Sequence, residues 1–273
     1  MTLQFSKYQG LGNDFVVVDG DPKAQFVARA AAAAICDRHL GVGADGVLLL
    51  TERDGAPRMQ VINADGSTPE MCGNGLRCVA LHLHRAGKVG DDFEVQTDAG
   101  PHRCEVLEGG RIRVAMPPAS LRPEDLPMRR SSTAPVIDGA FEVAGHALEL
   151  TAVSMGNPHA VVFDLPDAAR LQAGPALSVH DDFPDGVNAG FATRRDATHF
   201  GLAVHERGVG WTRACGTGAC AAAVAAVETG RAPRGQELSI DLPGGELLVR
   251  VDEAGAPVIM TGPAAYVFSG AYG

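Results

Sequence analysis

The feature that most constrains this 273-residue chain is that it repeats itself at a nearly constant offset. Cys72-Gly73-Asn74-Gly75 is echoed 143 residues later by Cys215-Gly216-Thr217-Gly218. Gly43 and Gly186 keep the same offset, as do Gly87 and Gly230, while Asn13 and Asn157 differ from it by one. One Gly-rich turn resembling another is commonplace; four anchors in one register are not. The chain therefore has to fold as two similar halves.

The local patterns follow that register. Short strands are expected at Phe5 to Tyr8 and Phe15 to Asp19 around a Gly/Asn turn, with counterparts at Leu148 to Val153 and Ala160 to Asp164. A second pair, Val47 to Thr51 and Arg58 to Ile62 around Arg53-Asp54-Gly55, is matched by Gly190 to Arg194 and Phe200 to His205. Each Cys-Gly-x-Gly turn then opens one mostly apolar helix, Leu76 to Ala86 and Ala219 to Thr229, which reads as buried. Further strands run from Phe93 to Met116 and from Leu238 to Met260. The Ala-rich run Ala28 to Ile35 reads as a surface helix, and Pro117 to Pro135 as a Pro-rich, charged linker. Tyr266 to Ser269 is a final strand outside the repeat. The expectation is an α+β fold of two pseudo-symmetric domains, residues 1–117 and 118–263, each of strands wrapped around a central helix, with residues 264–273 returning to the first domain.

Charge removes several function classes. The chain has 23 basic and 33 acidic residues, net −10, which lacks the basic footprint for nucleic acid or anionic membranes. No apolar run reaches the length of a membrane span and no signal-type segment opens the chain, so a soluble cytoplasmic protein is expected. Six cysteines without a C-x-x-C pair form neither a disulfide framework nor a zinc knuckle, and no metal is expected.

Cys72 and Cys215 stand apart from Cys36, Cys78, Cys104 and Cys220, which read as buried small hydrophobes. Each of the two precedes a helix N-terminus, where unpaired N–H groups and partial positive charge favour both a thiolate and a bound carboxylate. Two symmetric thiols suit one chemical task. Inverting a stereocentre by proton transfer needs a base on one face of the carbon and an acid on the other, and a thiolate and a thiol can exchange those roles. A carbanion beside a carboxylate, formed without a cofactor, needs preorganised N–H donors, which two helix ends supply.

The motifs Met71-Cys72-Gly73-Asn74-Gly75-Leu76-Arg77-Cys78, Ala214-Cys215-Gly216-Thr217-Gly218-Ala219-Cys220, Gly10-Leu11-Gly12-Asn13-Asp14-Phe15 and Gly156-Asn157-Pro158-His159 resemble the diaminopimelate epimerase family. The resemblance runs from the first strand to the last. It implies the fold of that family, cofactor-free interconversion of LL- and meso-2,6-diaminopimelate for lysine and peptidoglycan synthesis, and a homodimer. It makes Cys72 and Cys215 the catalytic base and acid. The backbone donors of Gly73, Asn74, Gly216 and Thr217 would hold the reacting carboxylate, and Asn13, Asn63, Asn157, Asn188, Glu206 and Arg207 the rest of a diamino-dicarboxylate substrate. Arg207 suits the distal carboxylate and Glu206 the distal ammonium. His159 is expected to shape the proton field at the thiols. Taken alone, each Asn is as easily a turn residue, Asn63 in Asn63-Ala64-Asp65-Gly66 above all. Two positions depart from the family: Gly46 where some members have Gln, and Trp211 where Glu is common.

The competing readings are a proline-racemase-like enzyme of the same fold, a Cys72–His159 nucleophilic pair of the hydrolase type, and a cysteine redox switch. Asn74 where proline racemases have His, and the Glu206-Arg207 pair, disfavour the first. A hydrolase would leave Cys215 and its duplicated turn without a role.

Overall fold

The computed structural model describes residues 2–129 and 134–273. They divide into two compact units, one of residues 1–115 with 261–273, the other of residues 116–260. The first unit runs β1 (Leu3–Gly10), β2 (Asn13–Asp19), α1 (Pro22–Ala30), α2 (Ala32–Cys36), β3 (Gly46–Arg53), β4 (Ala56–Asn63), α3 (Gly73–Arg85), β5 (Asp92–Thr97), β6 (Gly100–Val106) and β7 (Arg111–Pro118). The second runs β8 (Gly139–Val143), β9 (His146–Ser154), β10 (Pro158–Phe163), α4 (Asp167–Ser178), β11 (Asn188–Arg194), β12 (His199–Glu206), β13 (Gly210–Thr212), α5 (Gly216–Glu228), β14 (Glu237–Leu242), β15 (Gly245–Arg250) and β16 (Pro257–Pro263). β17 (Ala265–Tyr272) pairs antiparallel with β1 in the first unit.

The two halves repeat in pairing as well as in sequence. β2 lies antiparallel to β1 and parallel to β3, which is antiparallel to β4. β10 is placed the same way between β9 and β11, and β11 is antiparallel to β12. β4 then pairs parallel with β5, and β12 with β14. A hairpin strand, β13 against β12, is added in the second unit.

Burial explains why the inner strands read as unbroken apolar runs. Strands covered on both faces need apolar side chains at every position. Val16, Val18, Val47 and Leu49 pack outward on Ala28, Ala32 and Ile35 of α1 and α2. Leu48, between them in sequence, points the other way and lies against the first turn of α3. In the second unit Val162, Ala189 and Phe191 pack on Ala173 and Leu177 of α4, and α5 packs against β9, β10, β11, β12, β14 and β15. Each unit is therefore a sheet with one helix held inside its curve and shorter helices outside.

The central helices end alike. Gly87 and Gly230 both take left-handed φ, 67° and 70°. The N–H of each bonds back to His84 or Val227, and the following residue bonds back to Leu83 or Ala226. That is the Schellman pattern of carbonyl satisfaction, which requires a glycine-like residue just past the helix and accounts for this pair of repeat anchors.

Four details differ from the sequence expectation. The run Ala28 to Ile35 is split between α1 and α2 at Ala31, because one face is drawn into the core at Ala28, Ala32 and Ile35. α3 is not apolar all round: it carries fully buried Arg77 and ends on half-exposed His82 and His84. α4 was not legible, since Gly174-Pro175 interrupts its pattern. The stretch read as a linker is tied to the second unit at two points: Ser120 bridges to Ser154, and Leu126 is buried in the core of that unit. Residues 130–133 of that stretch lie outside the described residues.

Candidate active site

The two thiols occupy the same local geometry. Cys72 is the N-cap of α3, with φ −140° and ψ 114°, and Cys215 the N-cap of α5, with φ −130° and ψ 104°. Each Sγ accepts a hydrogen bond from the N–H three residues on, Gly75 or Gly218, at 3.4 Å. Sulfur takes the place that a Ser or Asp oxygen usually fills. The N–H groups of the first two helical residues, Gly73 with Asn74 and Gly216 with Thr217, have no acceptor within a helix. They form an anion-ready end beside each sulfur.

Crowding explains the second glycine of each motif. A Cβ on Gly218 would stand 3.1 Å from the Cys215 sulfur and 3.1 Å from Val204; one on Gly75 would stand 3.1 Å from Leu48 and 3.4 Å from the Cys72 Cβ. The third helical residue must bring its N–H to the sulfur, and a side chain there would push the sulfur away.

In the first unit, Asn74 Nδ2 donates to Asn13 Oδ1 at 3.0 Å, and Asn13 Nδ2 donates to Asp45 Oδ2 at 2.7 Å. Asp45 is also held by Arg38 at 2.7 Å, and Arg38 and Lys7 both reach Asp14. Burial works to raise the Asp14 pKa, but the hydrogen bonds and charges of Arg38 and Lys7 hold it below the ordinary carboxylate value. Asn63 is placed otherwise: its Nδ2 donates to Ser67 Oγ at 2.9 Å, inside its own turn. It stands opposite Gly46 in the β3–β4 ladder, where a Cβ on Gly46 would meet the Ile62 carbonyl at 2.8 Å. This backbone has no room for a side chain at position 46.

In the second unit the expected residues form one bonded cluster. His159 Nε2 lies 3.0 Å from Asn157 Oδ1, and Asn157 Nδ2 donates to Thr217 Oγ1 at 3.4 Å. Thr217 Oγ1 stands 3.7 Å from Cys215 Sγ. The direction of this chain follows from what each atom is able to do. Burial, then the charge of Arg207, lowers the His159 pKa to about 3, so the ring is neutral at pH 7. Its Nε2 faces a carbonyl-type oxygen and so carries the proton. Asn157 then donates to Thr217, whose hydroxyl hydrogen remains available to the sulfur when Cys215 is a thiolate.

Asn188 accepts from the Arg207 N–H at 3.0 Å and donates to the Pro158 carbonyl at 3.1 Å. It thereby ties β10 to the end of β12. Arg207 is exposed, and its guanidinium also reaches the Asp185 carbonyl at 2.9 Å. Glu206 accepts from Thr212 at 2.6 Å. Burial and then the Glu206 charge push the Cys215 thiol well above its ordinary pKa, while Thr217 and the Gly218 N–H pull it down. Trp211 stacks edge-on to His205 at 5.2 Å and covers Gly174 of α4, so it packs on the outer layer.

The other cysteines differ in kind. Burial raises Cys36 to about 11 and Cys78 and Cys104 to about 12. Among the described residues, no three His, Cys, Asp or Glu side chains converge as metal ligands, and no helix is long and apolar enough to cross a membrane.

Sequence reasoning missed Arg77, Asp45 and Thr212. Arg77 stands inside the first thiol motif, and Asp45 stands 143 residues before Asn188, so the repeat register was the signal that would have found it. All five asparagines of the chain, Asn13, Asn63, Asn74, Asn157 and Asn188, belong to the expected site set.

Comparison with known proteins adds a family. The model of the diaminopimelate epimerase family matches residues 5–122 and 151–267. A diaminopimelate epimerase from Desulforudis audaxviator is 46% identical, over 98% of this chain and 98% of its own length. One from Xanthomonas campestris is 43% identical, over 98% of this chain and 95% of its own. Among solved structures, a hydroxyproline epimerase from Agrobacterium vitis with bound trans-4-hydroxy-L-proline aligns with TM-score 0.72 and 16% identity, covering 99% of this chain and 91% of that one. A phenazine biosynthesis protein from Bacillus anthracis aligns with TM-score 0.71 and 16% identity, covering 100% and 99%. At such identities these two share the fold alone.

Proposed function

The chain belongs to the diaminopimelate epimerase family, and on that premise we propose that it interconverts LL- and meso-2,6-diaminopimelate by proton transfer through Cys72 and Cys215. The observation that carries this reading is the pair of helix N-termini capped by thiols with matching backbone geometry, one in each repeat. One thiolate removes the α-proton from one face of the carbon, and the other thiol delivers a proton to the opposite face. Running the reaction backwards exchanges the two roles.

The backbone N–H groups of Gly73, Asn74, Gly216 and Thr217 bind the α-carboxylate and stabilise the charge that develops beside it. Asn13, Asn63, Asn157 and Asn188 supply carboxamide contacts. Arg207 pairs with the distal carboxylate and Glu206 with the distal ammonium, which sets this substrate apart from an amino acid with one charged end. His159 acts through Asn157 and Thr217, which leave the Thr217 hydroxyl hydrogen available to a Cys215 thiolate. The product feeds lysine and peptidoglycan synthesis. Assembly as a homodimer in the cytoplasm belongs to the same proposal, and exposed Tyr266, Val267 and Phe268 on β17 support the assembly.

The test is epimerisation of LL-diaminopimelate by reduced protein, followed by chiral chromatography, with L-proline in parallel. Meso product that disappears in Cys72→Ala and in Cys215→Ala is expected. Turnover of proline and not of diaminopimelate would overturn the substrate.

A further inference from the structure

Arg77 is fully buried in the second turn of α3, and its guanidinium reaches both the first turn of the same helix and the end of β16. Nη2 donates to Asn74 Oδ1 at 2.8 Å, Nη1 reaches the Gly73 carbonyl at 3.5 Å, and Nε donates to the Pro263 carbonyl at 3.2 Å. β1 packs its backbone directly on this group: a Cβ on Gly10 would stand 3.2 Å from Nη2. From Arg77 the bonds run unbroken through Asn74 and Asn13 to Asp45. Asp45 Oδ2 also accepts the Asp14 N–H at 3.1 Å, and Asp45 Oδ1 accepts from Arg38.

The two ends of this chain differ in kind. A guanidinium only donates and a carboxylate only accepts, whereas a carboxamide has an oxygen end and a nitrogen end of almost the same shape. Two carboxamides strung between a donor-only and an acceptor-only group have one self-consistent direction. Asn74 must turn its oxygen to Arg77, and Asn13 must turn its nitrogen to Asp45. Reversing either amide would set donor against donor or acceptor against acceptor, and a partly buried site makes that costly. In the second half the repeat register puts Cys220 and Asn188 where the first has Arg77 and Asp45. The device therefore belongs to the Cys72 half alone.

We infer that Arg77 and Asp45 are positioning residues that hold the carboxamides of Asn13 and Asn74 in one fixed orientation for the substrate. The inference rests on the proposal that Asn13 touches it through its carboxamide and Asn74 through its backbone N–H. Without one end, reversing both amides together costs one mismatch instead of two, and the fraction of molecules that present the correct donors and acceptors falls.

The test uses the scarcity of asparagine. Protein labelled with [15N]asparagine shows five side-chain amide pairs, all from the candidate site. In Asp45→Ala the signals of both Asn13 and Asn74 are expected to move, although Asp45 bonds only the first of them, while those of Asn157 and Asn188 stay in place. KM for LL-diaminopimelate should rise about two- to fourfold, as expected when a half to a quarter of the molecules present the correct orientation, with kcat changed far less. Arg77→Met should do the same from the other end, and Arg77→Lys, which restores a cationic donor, should recover most of the loss.

A signal change confined to Asn13, or an unchanged KM in Asp45→Ala where Asn13→Ala raises it, would overturn the inference. Failure of the underlying reading looks different: either the wild-type protein does not epimerise diaminopimelate, or Asn13→Ala leaves KM untouched. The amide spectra report the bonded chain in either case. Should Arg77→Met fail to fold, Asp45→Ala, at a half-exposed position, carries the test.

Discussion

His159 makes the stability of the second unit depend on pH in a calculable way. The imidazole is completely buried, its Nδ1 has no hydrogen-bond partner among the described residues, and its pKa falls from the ordinary 6.5 to about 3. Between those values the unfolded chain binds a proton that the folded chain does not. Stability must therefore fall as the pH drops through 6.5 toward 3. For one site with these pKa values, going from pH 7 to pH 5 removes about 2 kcal/mol.

His159→Gln keeps an N–H donor for Asn157 Oδ1 but has nothing to titrate. The assay is urea unfolding of both proteins at the two pH values. It is followed by the fluorescence of Trp211, the one tryptophan of the chain, which reports on the same unit. Wild-type protein should lose about 2 kcal/mol more than the variant between pH 7 and pH 5. Other titrating groups, such as His205, whose pKa burial also lowers, are common to both proteins and cancel. Equal losses, within about 0.5 kcal/mol, would refute a neutral buried imidazole and the hydrogen-bond direction built on it.

Three further outcomes follow from the same geometry. Gly218→Ala places a Cβ against the Cys215 sulfur; kcat should fall at least about tenfold while the melting temperature stays close to wild type, because the helix gains from alanine part of what crowding costs. Thr217→Val removes the hydroxyl that lowers the Cys215 pKa, so alkylation of Cys215 by iodoacetamide, read by peptide mass spectrometry, should slow at a given pH, and Thr217→Ser should keep the wild-type rate. Trp211→Ala removes packing from His205, Phe191 and Gly174; it should cost about 2 kcal/mol in urea unfolding followed by circular dichroism and leave kcat/KM for diaminopimelate within about threefold.

Much of this was legible in the sequence because the repeat is recorded in residues whose backbone roles are narrow. Gly87 and Gly230 mark helix ends because only a glycine-like residue turns left-handed there without cost. Cys-Gly-x-Gly marks a helix start because the sulfur needs both the N–H and the empty space of the last glycine. What stayed hidden was decided by tertiary packing. α4 carries a Pro inside its span, and only the apolar face that β11 and β12 offer it makes the helix worthwhile. Asn63 was open to two readings, and the turn through Ser67 engages its side chain. Arg77 had no role of its own in the sequence pattern. Gly10 on the neighbouring strand leaves room for its guanidinium, which no pattern within α3 records.

In the proposed mechanism two different groups handle the proton on the two faces of one carbon. This is tested most directly by running the reaction in D₂O from LL-diaminopimelate and reading both isomers early, before the product returns. Deuterium is expected at the inverted carbon of the meso product and almost none in the recovered LL substrate, because the proton removed and the proton delivered sit on different thiols. Substrate-derived protium carried into the meso product, or deuterium entering both isomers at equal rates, would show one base serving both faces and would contradict it.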